Sequence, residues 1–248
     1  MAAPLSVVLL WGTLLWRISS SFQHGNSRPE MLEDKIFREI FRNYNKAVRP
    51  ATMDTKIVVV KHGMSVTRLV ELKDDVMTFD TWIDMGWNDA RLRWEPDDHD
   101  DVSRVNIPTD LIWMPDIVLY NSAGTATDMY PSMPRQAHVT HDGTIHTAPA
   151  MRLRVWCGRT EGCSPVDQQG SYTCDLKFGS WVYDGFSVDL QNRQESIDLS
   201  HYSQHTQWSV KNSSVNRNVV LYSYCPEPYL DITYTIQLAP KYGHARLV

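Results

Sequence analysis

From residue 56 to residue 238 the apolar side chains of this chain recur mainly at every second position, a period that suits strands and not helices. Strands are predicted at 56–60, 65–72, 76–87, 92–94, 116–120, 137–140, 144–148, 151–156, 173–178, 187–190, 206–211, 219–224 and 232–238. Asp74-Asp75 and Pro96-Asp97-Asp98 punctuate them as turn signals. One segment ahead of them behaves differently. Between residues 30 and 44, Leu32, Ile36, Phe37, Ile40 and Phe41 return at three- and four-residue spacing, with Pro50 beyond, which predicts one amphipathic helix. The expected fold is all-β: an antiparallel β-sandwich of about ten strands with one N-terminal α-helix, in a single domain over residues 22–239.

Residues 1–21 have the apolar centre and small-residue end of a secretory signal peptide, and Arg17 cuts the apolar run short of a membrane-spanning length. Residues 240–248 form a C-terminal tail, and no later segment is apolar enough for a membrane span. The expectation is a secreted, extracellular protein. Asn212-Ser213-Ser214 is an N-glycosylation sequon, in keeping with export. A net charge of −5 leaves no basic footprint for nucleic acid. Four cysteines in an exported chain suggest disulfides; Cys157 and Cys163 both stand upstream of Cys174 as partners, and Cys225 is far from all of them.

Nine Trp and eleven Tyr exceed what a core of this size uses. They concentrate in four segments. Residues 174–189, CDLKFGSWVYDGFSVD, place Trp181 just after a Gly-Ser break, and Gly179 suggests a bulge or a close backbone approach. Residues 82–94 read WIDMGWNDARLRW, with Trp82 and Asp84 on one strand face by parity. Residues 107–123 read IPTDLIWMPDIVLYNSA, and residues 222–232 read YSYCPEPYLDI. A tryptophan in a strand is ordinarily a core residue, but four such segments in this order resemble the ligand-binding domains of Cys-loop receptors. In detail they resemble the soluble acetylcholine-binding proteins of that family.

The resemblance implies a role for each residue. Tyr120, Trp181, Tyr222 and Tyr229 would line the principal side of a ligand site, with Cys225 at the tip of the capping loop. Trp82 would face the ligand from the complementary side of a second subunit, with Asp84 where the family often has Gln. Trp87, Trp94, Trp113 and Asp116 would be structural. The strand ending at Cys157 aligns with the one entering the family's loop, which implies a Cys157–Cys174 disulfide enclosing residues 158–173. That loop is polar and has no Phe, unlike the apolar tip of channel subunits, so a soluble binding protein is expected over a channel's extracellular domain. At the capping tip Tyr224 replaces the first of two adjacent cysteines, so no vicinal disulfide forms there.

A cage of electron-rich faces suits an organic cation, each face contributing about 0.5–2 kcal/mol once water is excluded. Acetylcholine, nicotine and related amines are the expected ligands. One chain carries both half-sites, so identical head-to-tail contacts would close a ring, which the resemblance sets at five copies. The hairpin AHVTHDGTIHTA, residues 137–148, admits two registers, and a three-residue loop ending in Gly143 pairs His138 with His146. That register, which the resemblance implies, puts His138, His146 and Ala148 on the complementary face, where protonated imidazoles would repel a cation. His138, His141 and His146 with Asp142 match no metallohydrolase spacing, and a turn accounts for Asp142 and Gly143. No cofactor, metal or enzymatic activity is expected.

Overall fold

The computed structural model describes residues 31–124, 128–129, 135–160 and 170–241. Residues 1–21, expected to be a signal peptide, Cys163, most of the polar loop at 158–173 and residues 242–248 lie outside the described residues.

The helix is shorter than its periodicity predicted. Helix α1 spans Asp34–Ile40 and buries Ile36 and Ile40 against the end of the sandwich. Beyond it, tertiary contacts replace helical ones. Phe37, Phe41 and Tyr44 follow one another at 5.7 and 5.6 Å between ring centroids. The Tyr44 hydroxyl donates to Asp89 Oδ2 at 2.8 Å and accepts from the Trp113 amide at 2.9 Å. The helix therefore stops where its aromatic residues begin to serve the sandwich.

Twelve strands follow: β1 (Val58–Lys73), β2 (Val76–Arg93), β3 (Arg104–Pro108), β4 (Ile117–Leu119), β5 (Asp128–Met129), β6 (Gln136–Thr140), β7 (Asp142–Thr147), β8 (Ala150–Thr160), β9 (Ser171–Ser180), β10 (Val188–Asn192), β11 (Trp208–Leu221) and β12 (Pro228–Pro240). Their path runs β11-β12-β9-β8-β2-β7-β6-β3. All pairings are antiparallel except β1 with β10. The segments expected at 206–211 and 219–224 are one strand, β11, continuous against β12 through a single register shift at Val210/Asn212. The segments expected at 76–87 and 92–94 likewise join in β2. Strands β3 and β5 were not anticipated.

One strand ties the two sheets together. Residues of β8 from Ala150 to Trp156 pair with β2, whereas Cys157 to Thr160 pair with β9. The Cys157–Cys174 disulfide sits at that change of partner, across directly opposed positions, with Cα atoms 4.3 Å apart. Closing a loop of this length removes unfolded-chain entropy corresponding to about 3 kcal/mol. Between the sheets lies the core, which contains Trp87, Trp94 and Trp113 at 3–4% exposure. Trp87 and Trp113 meet edge to face at 6.2 Å, and Trp94 donates to the Val102 carbonyl at 2.6 Å.

The β6–β7 hairpin has the three-residue loop. His138 faces His146 and Val139 faces Ile145. Asp142 Oδ1 accepts from Thr140 Oγ1 at 2.5 Å and from the Thr144 amide at 3.0 Å, while Gly143 takes φ +78°. These are turn contacts.

Candidate functional site

Trp181 is 73% exposed, which no core role explains. A carboxylate holds the turn that presents it. Asp116 accepts from Ser180 Oγ at 2.6 Å and from the Val182 amide at 2.7 Å, and its own carbonyl accepts from the Trp181 amide at 3.2 Å. Ser180 Oγ in turn accepts from the Tyr183 amide at 2.8 Å. Four contacts fix three residues of backbone, so the indole projects outward from a rigid turn.

Tyr120, just beyond β4, lies across the same place. Its hydroxyl donates to the Ser180 carbonyl, and its ring is 6.4 Å from that of Trp181. A Cβ at Gly179 would fall 2.3 Å from the Tyr120 oxygen, so only glycine leaves room for the ring. The register of β9 against β4 runs through Gly179 without interruption, so Gly179 serves close approach and not a bulge. Partial burial, then the charges of Asp231 and Asp116, push the Tyr120 hydroxyl up to about 12. It stays a neutral donor.

The β11–β12 hairpin brings the remaining aromatics. Tyr222 meets Tyr229 edge to face at 5.5 Å and stacks on Tyr224 at 5.4 Å. Cys225 is a free thiol whose sulfur lies 3.9 Å from the Tyr229 oxygen. The hairpin is anchored to the Trp181 turn by the Gly185 amide, which donates to the Pro228 carbonyl at 2.7 Å. At its base the buried Asp231 pairs with Lys177 at 3.0 Å and accepts from Asn218 at 2.6 Å. Tyr120, Trp181, Tyr222, Cys225 and Tyr229 are therefore gathered on one surface.

Trp82, Asp84, His138, His146 and Ala148 are gathered on another. On β2, Trp82 and Asp84 point outward on either side of the buried Ile83. Trp82 is 39% exposed and tilts against His201 at 5.1 Å. The Asp84 carboxylate is shared: His146 Nε2 lies 2.9 Å from one oxygen, and Arg193 Nη1 binds the other. His138 and His146 are cross-strand partners but turn to different neighbours. His138 Nδ1 lies 2.6 Å from Asn106 Oδ1. Ala148 is exposed beside them. Asn212 is far from both groups, exposed on β11, the terminal strand of the described path.

The first group sits on β4, β9 and the β11–β12 hairpin, the second on β2 and the β6–β7 hairpin. No ring contact among the described residues joins them. Sequence reasoning missed Arg193 and His201, which come from the stretch between β10 and β11. The only signal was a cluster of polar residues after a short strand, which any loop would show. Among the described residues no helix is long and apolar enough to cross a membrane.

Residues 33–242 match the family described as the neurotransmitter-gated ion-channel ligand binding domain. The human (Homo sapiens) neuronal acetylcholine receptor subunit alpha-2 is 34% identical over 220 residues, which is 87% of this chain and 40% of that protein. The rat (Rattus norvegicus) alpha-2 subunit is 35% identical over 207 residues, 82% of this chain and 39% of that subunit. The human alpha-4 subunit is 35% identical over 230 residues, 92% of this chain and 35% of that subunit. The chain thus spans two fifths or less of the length of these relatives.

Proposed function

We propose a function from one premise: this chain belongs to the neurotransmitter-gated ion-channel ligand binding domain family, the extracellular ligand-binding domains of Cys-loop receptors. It binds a small organic cation, acetylcholine or a nicotine-like amine, between two copies of itself. Tyr120, Trp181, Tyr222 and Tyr229 of one copy form the principal wall, and Trp82 of the next completes the cage. The cation is held by ring quadrupoles and by exclusion of water, each face adding about 0.5–2 kcal/mol. The observation that carries this reading is Trp181, 73% exposed yet fixed by Asp116. A rigid, outward indole is a poor surface residue and a good receptor for a cation.

Because the two half-sites occupy different parts of one chain, copies associate head to tail and close as a ring, with the family resemblance setting the number at five. The polar, Phe-free loop at 158–173 supports a secreted soluble binding protein. Its disulfide is Cys157–Cys174, and Asn212 carries the glycan. On the complementary side Asp84, His138, His146 and Ala148 meet the non-cationic end of the ligand. No nucleophile, metal or cofactor enters this reading, which is not that of an enzyme. A second reading, the extracellular domain of a nicotinic-type channel subunit, is supported by relatives that are receptor subunits of more than twice this length.

Titrating intrinsic tryptophan fluorescence with acetylcholine, nicotine and serotonin tests the ligand class. Saturable quenching by the first two is expected, and no response to any of the three would refute a cation cage. The natural chain found in secretions, with no membrane-bound form, distinguishes the first reading from the second.

A further inference from the structure

Beyond the last rung of the β11–β12 ladder, Leu221 with Pro228, the chain crosses from one strand to the other over residues 222–227. Little backbone holds that tip. Among the described residues its turn is closed by one backbone hydrogen bond, from the Cys225 amide to the Tyr222 carbonyl at 3.0 Å. Cys225 is a free thiol, so no disulfide ties it down. A hairpin end with so few buried contacts opens at little cost in free energy.

A row of three rings lies along it. Tyr229 is the fixed end, because its backbone is still in the ladder, opposite Val220. Tyr222 meets Tyr229 at 5.5 Å with the planes 65° apart, and Tyr224 lies on Tyr222 at 5.4 Å with the planes only 23° apart. The turn from Tyr222 to Cys225 brings these two rings, two positions apart, nearly parallel. Tyr224 is 79% exposed, against 42% for Tyr222, so it contributes nothing to the core. Its ring contact is with a residue of the principal wall. Stacked tyrosines attract beyond the area they bury, enough for an effect of up to about tenfold.

We propose that Tyr224 is a positioning residue for the cation cage: stacked on Tyr222, it clasps the capping tip to the ring row that ends at Tyr229, and so sets how long a bound cation is retained. The proposal rests on the cage reading above. Tyr224 need not touch the ligand. Held by both neighbouring rings, Tyr222 keeps its place in the wall, and the tip opens less often. Release of a cation past the tip is therefore slowed, whereas its arrival, governed by diffusion and docking, is not. Because the contact is between ring faces, the discriminating property of residue 224 is an aromatic ring, not bulk and not a hydroxyl.

The test compares Tyr224→Leu, which keeps bulk without a ring, with Tyr224→Phe, which keeps the ring. Stopped-flow tryptophan fluorescence with acetylcholine gives both rate constants on the intact protein. Tyr224→Leu should raise koff about five- to tenfold and leave kon within about twofold, and Tyr224→Phe should stay within about twofold of wild type in both. A second measurement needs no ligand: deuterium uptake at the amides of residues 222–225 should be faster in Tyr224→Leu and unchanged in Tyr224→Phe. A wild-type koff in Tyr224→Leu overturns the proposal, as does a Tyr224→Phe protein that behaves like Tyr224→Leu or a loss carried by kon. If the wild-type protein binds no acetylcholine, the cage reading falls, and equal deuterium uptake in all three proteins then overturns the clasp as well.

Discussion

The two proposed half-sites are built from different materials. On the principal side aromatic rings stand on backbone contacts, and the supporting charges, Asp116 and Asp231, are spent on Ser180, Val182 and Lys177. On the complementary side one exposed ring, Trp82, adjoins an ionic cluster in which Asp84 is shared by Arg193 and His146. A bound cation would find uncompensated ring faces on the first surface and an already occupied carboxylate on the second. Affinity should therefore reside mainly in the aromatic half, with the ionic half adjusting it. That contrast also changes the expectation for pH. His146 Nε2 lies 2.9 Å from the Asp84 carboxylate, whose charge opposes the repulsion expected from the hairpin pairing alone.

The strongest attempt to break this contrast is to exchange one ring on each side. Trp181→Ala should weaken acetylcholine by more than about 100-fold, roughly 3 kcal/mol, with an unchanged elution volume. Trp82→Ala should cost about tenfold. Equal losses would show that the two halves share the work, and an unfolded Trp181→Ala protein would return that residue to the core.

The complementary half also lies over a buried histidine, His62. His62 is pulled down from 6.5 to about 4 in the folded chain, so between those values the unfolded state binds the extra proton. Stability should then fall as pH drops from 6.5 toward 4, by about 3 kcal/mol in all. Urea midpoints should track this loss in the wild type and change less in His62→Phe. Parallel pH profiles would mean that another group governs the acid limb.

Gly179→Ala probes the principal half without deleting any ring. The added methyl meets the Tyr120 oxygen, so the ring must leave its place, and cation affinity should fall about tenfold. Unchanged affinity would mean that Tyr120 is not part of the wall. Removing Arg193 tests the other half with the opposite sign. Arg193→Ala releases one side of Asp84, and acetylcholine affinity should rise by about three- to tenfold at low salt and less at high salt. A loss instead would give Arg193 a direct role in holding the ligand. The smallest effect belongs to Cys225→Ser, since the free thiol has only the 3.9 Å contact with Tyr229: less than about threefold in Kd is expected. A large change would expose a bonding partner for Cys225.

Much of this was legible from local pattern. Period-two alternation placed Trp82 and Asp84 on one strand face, and the structure keeps them so, with Ile83 buried between them. The Gly-Ser break before Trp181 did mark a close backbone approach. Other features were beyond local pattern. The helix was overestimated because Phe41 and Tyr44 fit its period, yet Tyr44 is drawn to Asp89, 45 positions away. Strand β3 was missed because its five residues, two of them fully inward, are too few to stand out from the surrounding turns.

Taken alone, the order of residues determined the fold class, the shared face of Trp82 and Asp84 and the absence of a vicinal cysteine pair. These depend on backbone parity and on residue identity, which are local. The tertiary structure decided which polar groups meet. Arg193 reaches Asp84 across 109 positions and His62 reaches Tyr234 across 172. Such pairings follow from how two sheets are laid face to face, and no period in the chain encodes that. An inward histidine reads as one irregular residue until the opposite sheet supplies the tyrosine that orients its ring and leaves Nε2 bare.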